Sequence, residues 1–141
     1  MNTPLNASEI ERLDLRQCLT LLRSQAVGRL VFTEQALPAI RLVNYSMPTG
    51  RIVLRLGHAK WVARLDRTVV AFEVDDFDAG ARTGWSVVIV GKARLILDID
   101  ELVSLNDPAA RSWAPGPRDQ VVSIDMERVT GRRIRVTASA S

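Results

Sequence analysis

The chain has one cysteine and one histidine in 141 residues. A single thiol cannot close an internal disulfide, and one histidine with one cysteine cannot supply a zinc site of ordinary spacing. Nucleophilic catalysis is equally short of parts. His58 has no second histidine or cysteine near it, and neither a GxSxG elbow nor a phosphate-loop pattern occurs. Long apolar runs are missing too: stretches such as "VVIV" (Val87–Val90) fall far short of a bilayer span, so no membrane segment is expected. The start, "MNTPLNASEIERLDL", has acidic residues where a signal peptide carries a basic patch and an apolar core, which predicts a cytoplasmic protein. Lysine is scarce. Lys60 and Lys92 are the only two, and the other cations are arginines, whose planar fork suits phosphate or carboxylate.

What is present describes one soluble globular domain. The chain is 47% apolar and 25% charged, with a formal net charge of +3. That balance hints at an anionic ligand without demanding nucleic acid. Asp14, with Gln17 three residues on, resembles a capping box, and Leu15, Cys18, Leu19 and Leu22 follow at helical spacing as one apolar face. Cys18 then reads as a small core residue rather than a nucleophile. Strands are expected at Val27–Thr33, Ala39–Tyr45, Arg51–Leu56, Val69–Asp75 and Trp85–Asp98, with a short helix at Lys60–Leu65. The chain then enters the loop "DFDAGARTG", and Asp75, Asp76 and Asp78, close together in "VDDFD", read as solvated carboxylates at its start rather than as a magnesium site. Gly91 marks a bulge or the close approach of another backbone. A further helix starts at Asp98 or Asp100 and ends at Pro108. Two last strands, "VVSIDMERV" and "RRIRV", turn at Thr130–Gly131.

Together these elements predict a mainly β fold, a small antiparallel barrel of six to seven strands with two or three short peripheral helices. The domain spans residues 13–136, after an N-terminal segment 1–12 and before a disordered tail 137–141.

The stretch "RIVLRLGHAKWVARL" (Arg51–Leu65) raises the functional question. Alternation puts Arg51, Val53 and Arg55 on one strand face, and Gly57 permits a turn that brings Lys60 toward Arg55. Such a cluster suits a phosphate; a solvated strand and helix would show the same residues. Asn44 falls with Ile40 and Leu42 on the apparent apolar face of its strand, where a buried amide either braces a loop or points into a ligand site. Tyr45 fits an ordinary strand aromatic or a ligand contact. Trp85 and Trp113 stand beside glycine or proline at loop edges, where tryptophan lines core, interface or pocket.

The ordered set "LDLRQCLTLLRSQAVGRLVFT", "PAIRLVNY", "IVLRLGHAK", "VAFEVDDFD", "GWSVVIVGKARLI", "WAPGPRD" and "VTGRRI" resembles the pyridoxamine 5′-phosphate oxidase-like flavin-binding split-barrel proteins. The likeness is greatest to the branch with nitroimidazole-resistance-type reductases. The resemblance implies a homodimer with a flavin-type cofactor in each of two grooves between the subunits. It implies that Arg55 and Lys60 hold the cofactor phosphate, that Asn44 and Tyr45 lie along the isoalloxazine ring, and that Trp85 and Ser86 border the same groove. It also implies that Trp113, in "WAPG", belongs to a segment that closes the site, from the same or the partner subunit.

Two positions depart from the family pattern: Leu42 replaces a common proline, and Ala59 a common threonine before the lysine. FMN is the expected cofactor, with deazaflavin, FAD and haem as alternatives. The implied activity is hydride transfer to a small flat substrate, which needs no side-chain base and suits a chain poor in histidine and cysteine. Rival readings are a cofactor carrier without turnover and a basic nucleic-acid-binding barrel. The few aromatics and scattered cations argue against the second.

Overall fold

The computed structural model describes residues 8–105 and 120–136. Eight strands alternate with short helices: β1 (Ser8–Leu13), α1 (Leu15–Arg23), β2 (Val27–Glu34), β3 (Leu37–Ser46), β4 (Ile52–Leu56), α2 (Lys60–Ala63), β5 (Val69–Asp78), β6 (Thr83–Ile96), α3 (Ile99–Ser104), β7 (Gln120–Ile124) and β8 (Arg128–Val136). Every pairing is antiparallel, in the order β1-β8-β6-β5-β2-β3-β4-β7, and a β6–β7 pairing closes the ring. Six strands therefore form the barrel, and β8 and β1 extend from β6 as a flange. Among the described residues no helix is long and apolar enough to cross a membrane.

Strand β6 makes this arrangement possible. Its first part, Thr83–Val90, pairs with β8, and its last part, Ala93–Ile96, pairs with β7. Between them lies Gly91, where an added Cβ would stand 1.6 Å from the carbonyl oxygen of Asp125. The chain leaving β7 crosses β6 there, which is the close backbone approach that the glycine suggests. Inside the barrel Leu30, Ile52, Leu54, Phe72, Val87 and Ile89 are fully buried. A second cluster forms where α3 covers the outer side of β4 and β7, around Val53, Ile96, Leu105 and Val121.

The capping box is real. The Gln17 N–H donates to Asp14 Oδ1 at 2.8 Å, and the Asp14 N–H donates to Gln17 Oε1 at 2.9 Å. The apolar face that follows is narrower than its spacing suggests: Cys18 and Leu22 are buried, Leu19 is half-buried, and Leu15 is 59% exposed. A helix of nine residues touches the flange along one i, i+4 stripe, and Leu15 sits off it.

Cys18 Sγ lies directly over Gly131, where a Cβ would come within 2.5 Å of the sulfur. That contact corrects the expected turn: Thr130 and Gly131 lie inside β8, and the chain reverses at 125–127 instead. Burial, with Asp14 as a lesser cause, also pushes the Cys18 thiol pKa up. We expect Cys18→Ala to fold and to lose about 1–2 kcal/mol in chemical denaturation, and the folded parent to resist thiol reagents. Rapid labelling of the native chain would contradict this placement.

Two other boundaries move. Strand β5 continues past Asp75 to Asp78, so Asp76 and Asp78 belong to the strand, not to a loop. Residues 8–12, which the sequence reading places in the N-terminal segment, form β1 together with Leu13 and pair with β8 from Ser8↔Val136 to Leu13↔Gly131. The α3 helix starts from Asp98 as its N-cap. Pro108 lies outside the described residues.

Candidate functional site

The barrel wall is open on one side of β3. Its ladder with β2 has eight residue pairs, but its ladder with β4 has two, Tyr45↔Leu54 and Ser46↔Val53. Beyond them β4 ends at Leu56, and the chain passes through Gly57 into α2, so that among the described residues the edge of β3 from Leu37 to Asn44 has no paired strand on that side. Continuing the register by one residue sets Asn44 across from Arg55, both on the outward phase. The split therefore has an amide on one lip and a guanidinium on the other.

Arg55 is half-buried, and its Nη2–H reaches the Leu105 carbonyl at a weak 3.5 Å. Among the described residues no carboxylate lies within ion-pair distance of Arg55 or Lys60. Neighbouring arginines are engaged: Arg51 pairs with Glu101 at 3.2 Å and Arg94 with Asp125 at 3.4 Å. Among the described residues most of the five N–H donors of Arg55 thus have no partner. Lys60 is exposed at the first position of α2.

The N-cap of α2 is Ala59, which has no side-chain cap. The departure from threonine leaves that first turn uncapped as well as removing a hydroxyl from the site. Ala59→Thr is expected to stabilise the chain by about 1 kcal/mol, or roughly 3 °C in a thermal melt. An unchanged melt would argue against this cap geometry.

A contact that sequence spacing does not announce holds α2 in place. Trp61 stacks on Phe32 of β2 with centroids 5.0 Å apart and an interplanar angle of 14°. The Arg41 guanidinium, from the open edge of β3, lies 5.5 Å from the Trp61 centroid and 5.7 Å from that of Phe32. Stacking and cation–π attraction pin the helix beside the split.

The remaining candidates divide between the two faces of the wall. Val43 and Tyr45 are buried, whereas Ile40 is 60% and Leu42 71% exposed. This reverses the strand face expected for Asn44, which is half-buried on the outer side. The Tyr45 hydroxyl donates to the Leu22 carbonyl, and its ring meets Phe72 edge-on at 5.1 Å. Burial raises its pKa and keeps the phenol neutral. The Tyr45 side chain is thus committed to the core, and only its backbone borders the split. On β6, Ser86 shares the outward phase with Val88, while Trp85 shares the inward phase with Val87 and packs on the core. These adjacent residues face opposite ways. Trp113 lies outside the described residues.

One outward constellation was not anticipated. Arg29 Nη1–H donates to Glu73 Oε1 at 3.0 Å and to Asp75 Oδ2 at 2.6 Å. Burial first, then Asp75, pushes the Glu73 carboxyl up to about 7, with Arg29 opposing. The "EVD" alternation places both carboxylates on one face; their arginine lies on another strand and is not legible.

Comparison with known proteins agrees with this architecture. An uncharacterized protein of Mycobacterium tuberculosis is 41% identical over 138 residues, covering 94% of this chain and 90% of its own length. The structure of the FAD binding protein from Mycobacterium smegmatis superposes with a TM-score of 0.79 at 29% identity, covering 89% of this chain and 98% of that one. A candidate 5-nitroimidazole antibiotic resistance protein from Bacteroides thetaiotaomicron shares the fold, with a TM-score of 0.76 at 13% identity over 95% of this chain and 93% of its own. A family model described as pyridoxamine 5′-phosphate oxidase matches residues 14–133, from the N-cap of α1 into β8. With that match spanning the whole barrel, the chain belongs to the pyridoxamine 5′-phosphate oxidase family.

Proposed function

We propose that the chain binds a flavin nucleotide in the split between β3 and β4, works as a homodimer, and passes hydride between the flavin and a small flat substrate. The observation that carries this reading is the pair of cations at the split, Arg55 and Lys60, without carboxylate partners among the described residues. The likeness to an FAD binding protein of Mycobacterium smegmatis supports it. FMN and FAD share the ring and the first phosphate, which is the part that this donor set fits. FMN is the smaller and is the form proposed here.

The chemistry supplied by a bound flavin is hydride transfer. The residues of this chain place and hold it. Arg55 and Lys60 neutralise the phosphate with charge-assisted hydrogen bonds, and the Asn44 amide offers a donor and an acceptor on the facing lip. Tyr45, held to Leu22 and Phe72, anchors this end of β3 to the core beside the ring. A second copy would wall the groove, since Leu42 and Ile40 beside it project outward and are left exposed by one chain alone. Light scattering at micromolar concentration should find a dimer; a monomer would contradict this part.

The absorption spectrum of the purified chain, alone and after mixing with FMN, FAD, a deazaflavin or haem, tests the reading. We expect flavin bands titrating to one per chain, bleached by a chemical reductant and restored by an electron acceptor. Binding of haem alone would overturn the proposal. Flavin that binds but never turns over with any acceptor would reduce it to cofactor carriage.

A further inference from the structure

The outward face of β3, β2, β5 and β6 exposes apolar side chains beyond the two beside the split. Leu42 and Ile40 are joined by Val69, 62% exposed, and by Val27. The registers set these side chains in rows: Ile40 beside Val31, then Ala71, then Val90; Leu42 beside Arg29, then Glu73, then Val88. The same face carries both charge signs. Lys92 lies opposite Val69, Arg128 opposite Val90 and Arg132 opposite Ser86, while Glu73 and Asp75 are acidic. A face that is apolar and bears both signs can complement itself across a two-fold axis, so the occupant that it fits is a second copy of this chain.

The Arg29–Glu73–Asp75 cluster stands within this face. Two carboxylates share one guanidinium nitrogen, so the trio carries a net charge of −1 when both are ionised and none when one is protonated. From β6 the pair meets Ser86 and Val88, which bring no charge, and Arg132 lies one strand further, on β8. From β2 it meets Arg29, and beyond that, on β3, Leu42. Covering the cluster removes water from a net negative group, which favours the neutral form.

We propose that two copies assemble through this face and that assembly takes up a proton at the Glu73–Asp75 pair, so that the dimer weakens as pH rises through neutrality. The inference rests on the dimer reading above and adds its face and its regulation. The single chain is already poised, because burial and Asp75 raise Glu73 to about 7. The sign follows from that direction. The protonated form dominates below this value in the single chain, a second copy raises the value further, and above it association must draw a proton from solution.

Sedimentation equilibrium of the full chain at pH 6, 7 and 8, at fixed ionic strength, tests this. The dimer dissociation constant should rise about tenfold or more from pH 6 to pH 8. Glu73→Gln should give a tight dimer with a flat profile, while His58→Asn should keep the slope. On the parent chain, dilution calorimetry in buffers of different ionisation enthalpy should find proton release on dissociation, which keeps the test valid if Glu73→Gln fails to fold. A dimer with no pH dependence, one that tightens as pH rises, or a slope lost in His58→Asn would overturn the proton linkage and leave the dimer reading standing. A monomer at every pH would overturn both.

Discussion

Lys60→Ala is expected to weaken binding of a phosphorylated flavin about tenfold to a hundredfold and to leave riboflavin almost unaffected. A charge-assisted hydrogen bond contributes about 1.5–3 kcal/mol, which converts to that range of dissociation constants. Riboflavin has no phosphate to lose. Lys60 is the cleaner probe of the two cations because its side chain is exposed, whereas Arg55 also reaches the Leu105 carbonyl and touches the packing of α3. Arg64→Ala is the control: Arg64 is exposed at the C-cap of α2, one turn beyond Lys60. Fluorescence quenching at fixed salt measures all of these. Equal losses for FMN and riboflavin would show that Lys60 does not read the phosphate. No loss with either would make this stretch an ordinary strand and helix with solvated charges.

Gly91→Ala should be the most damaging added methyl among the described glycines. The added carbon would stand 1.6 Å from the Asp125 oxygen and 2.7 Å from its carbonyl carbon, and both atoms are backbone that no rotamer change can clear. The Asp125 N–H also donates to the Lys92 carbonyl at 3.0 Å, so the crossing cannot slide aside without losing that bond. Overpacking of this kind costs about 3 kcal/mol or more, which corresponds to roughly 10 °C in melting temperature. Gly57→Ala is the matched control, since nothing lies within 4 Å of its added Cβ. Aggregation or loss of the folded state in Gly91→Ala would agree with the crossing. A melting temperature within about 2 °C of the parent would contradict it.

The strands inside the barrel are legible because one face of each is apolar and the periodicity shows it. So is the start of α1, where two hydrogen bonds need specific residues three apart. The phase of β3 is not legible. Ile40 and Leu42 are apolar and face outward, while Val43 and Tyr45 are apolar and face inward, so both phases look like core. A strand apolar on both faces is what a covered sheet requires, and here the cover is proposed to be a second chain.

β1 escapes sequence reading for the opposite reason. It is an edge strand of the flange, half of its residues are charged, and it is held along its length by β8, with Leu13 at its end in the core. Gly131 suggests a turn yet serves the close approach of Cys18.

The site is half visible. Arg55 and Lys60 stand out as cations flanking a glycine, and the family resemblance gives them a role. That Asn44 faces Arg55, that Tyr45 turns inward, and that Trp61 stacks on Phe32 all depend on register between strands and on tertiary packing. A single sequence carries no record of either. The Arg29–Glu73 contact, 44 residues apart along the chain, is hidden in the same way.

The most direct test of the central claim is a crystal structure of the chain with FMN bound. The phosphate is expected in contact with Arg55 and Lys60 at the split beside β3, with the ring along the Asn44–Tyr45 backbone. A flavin lying away from that split, or a phosphate touching neither cation, would contradict it.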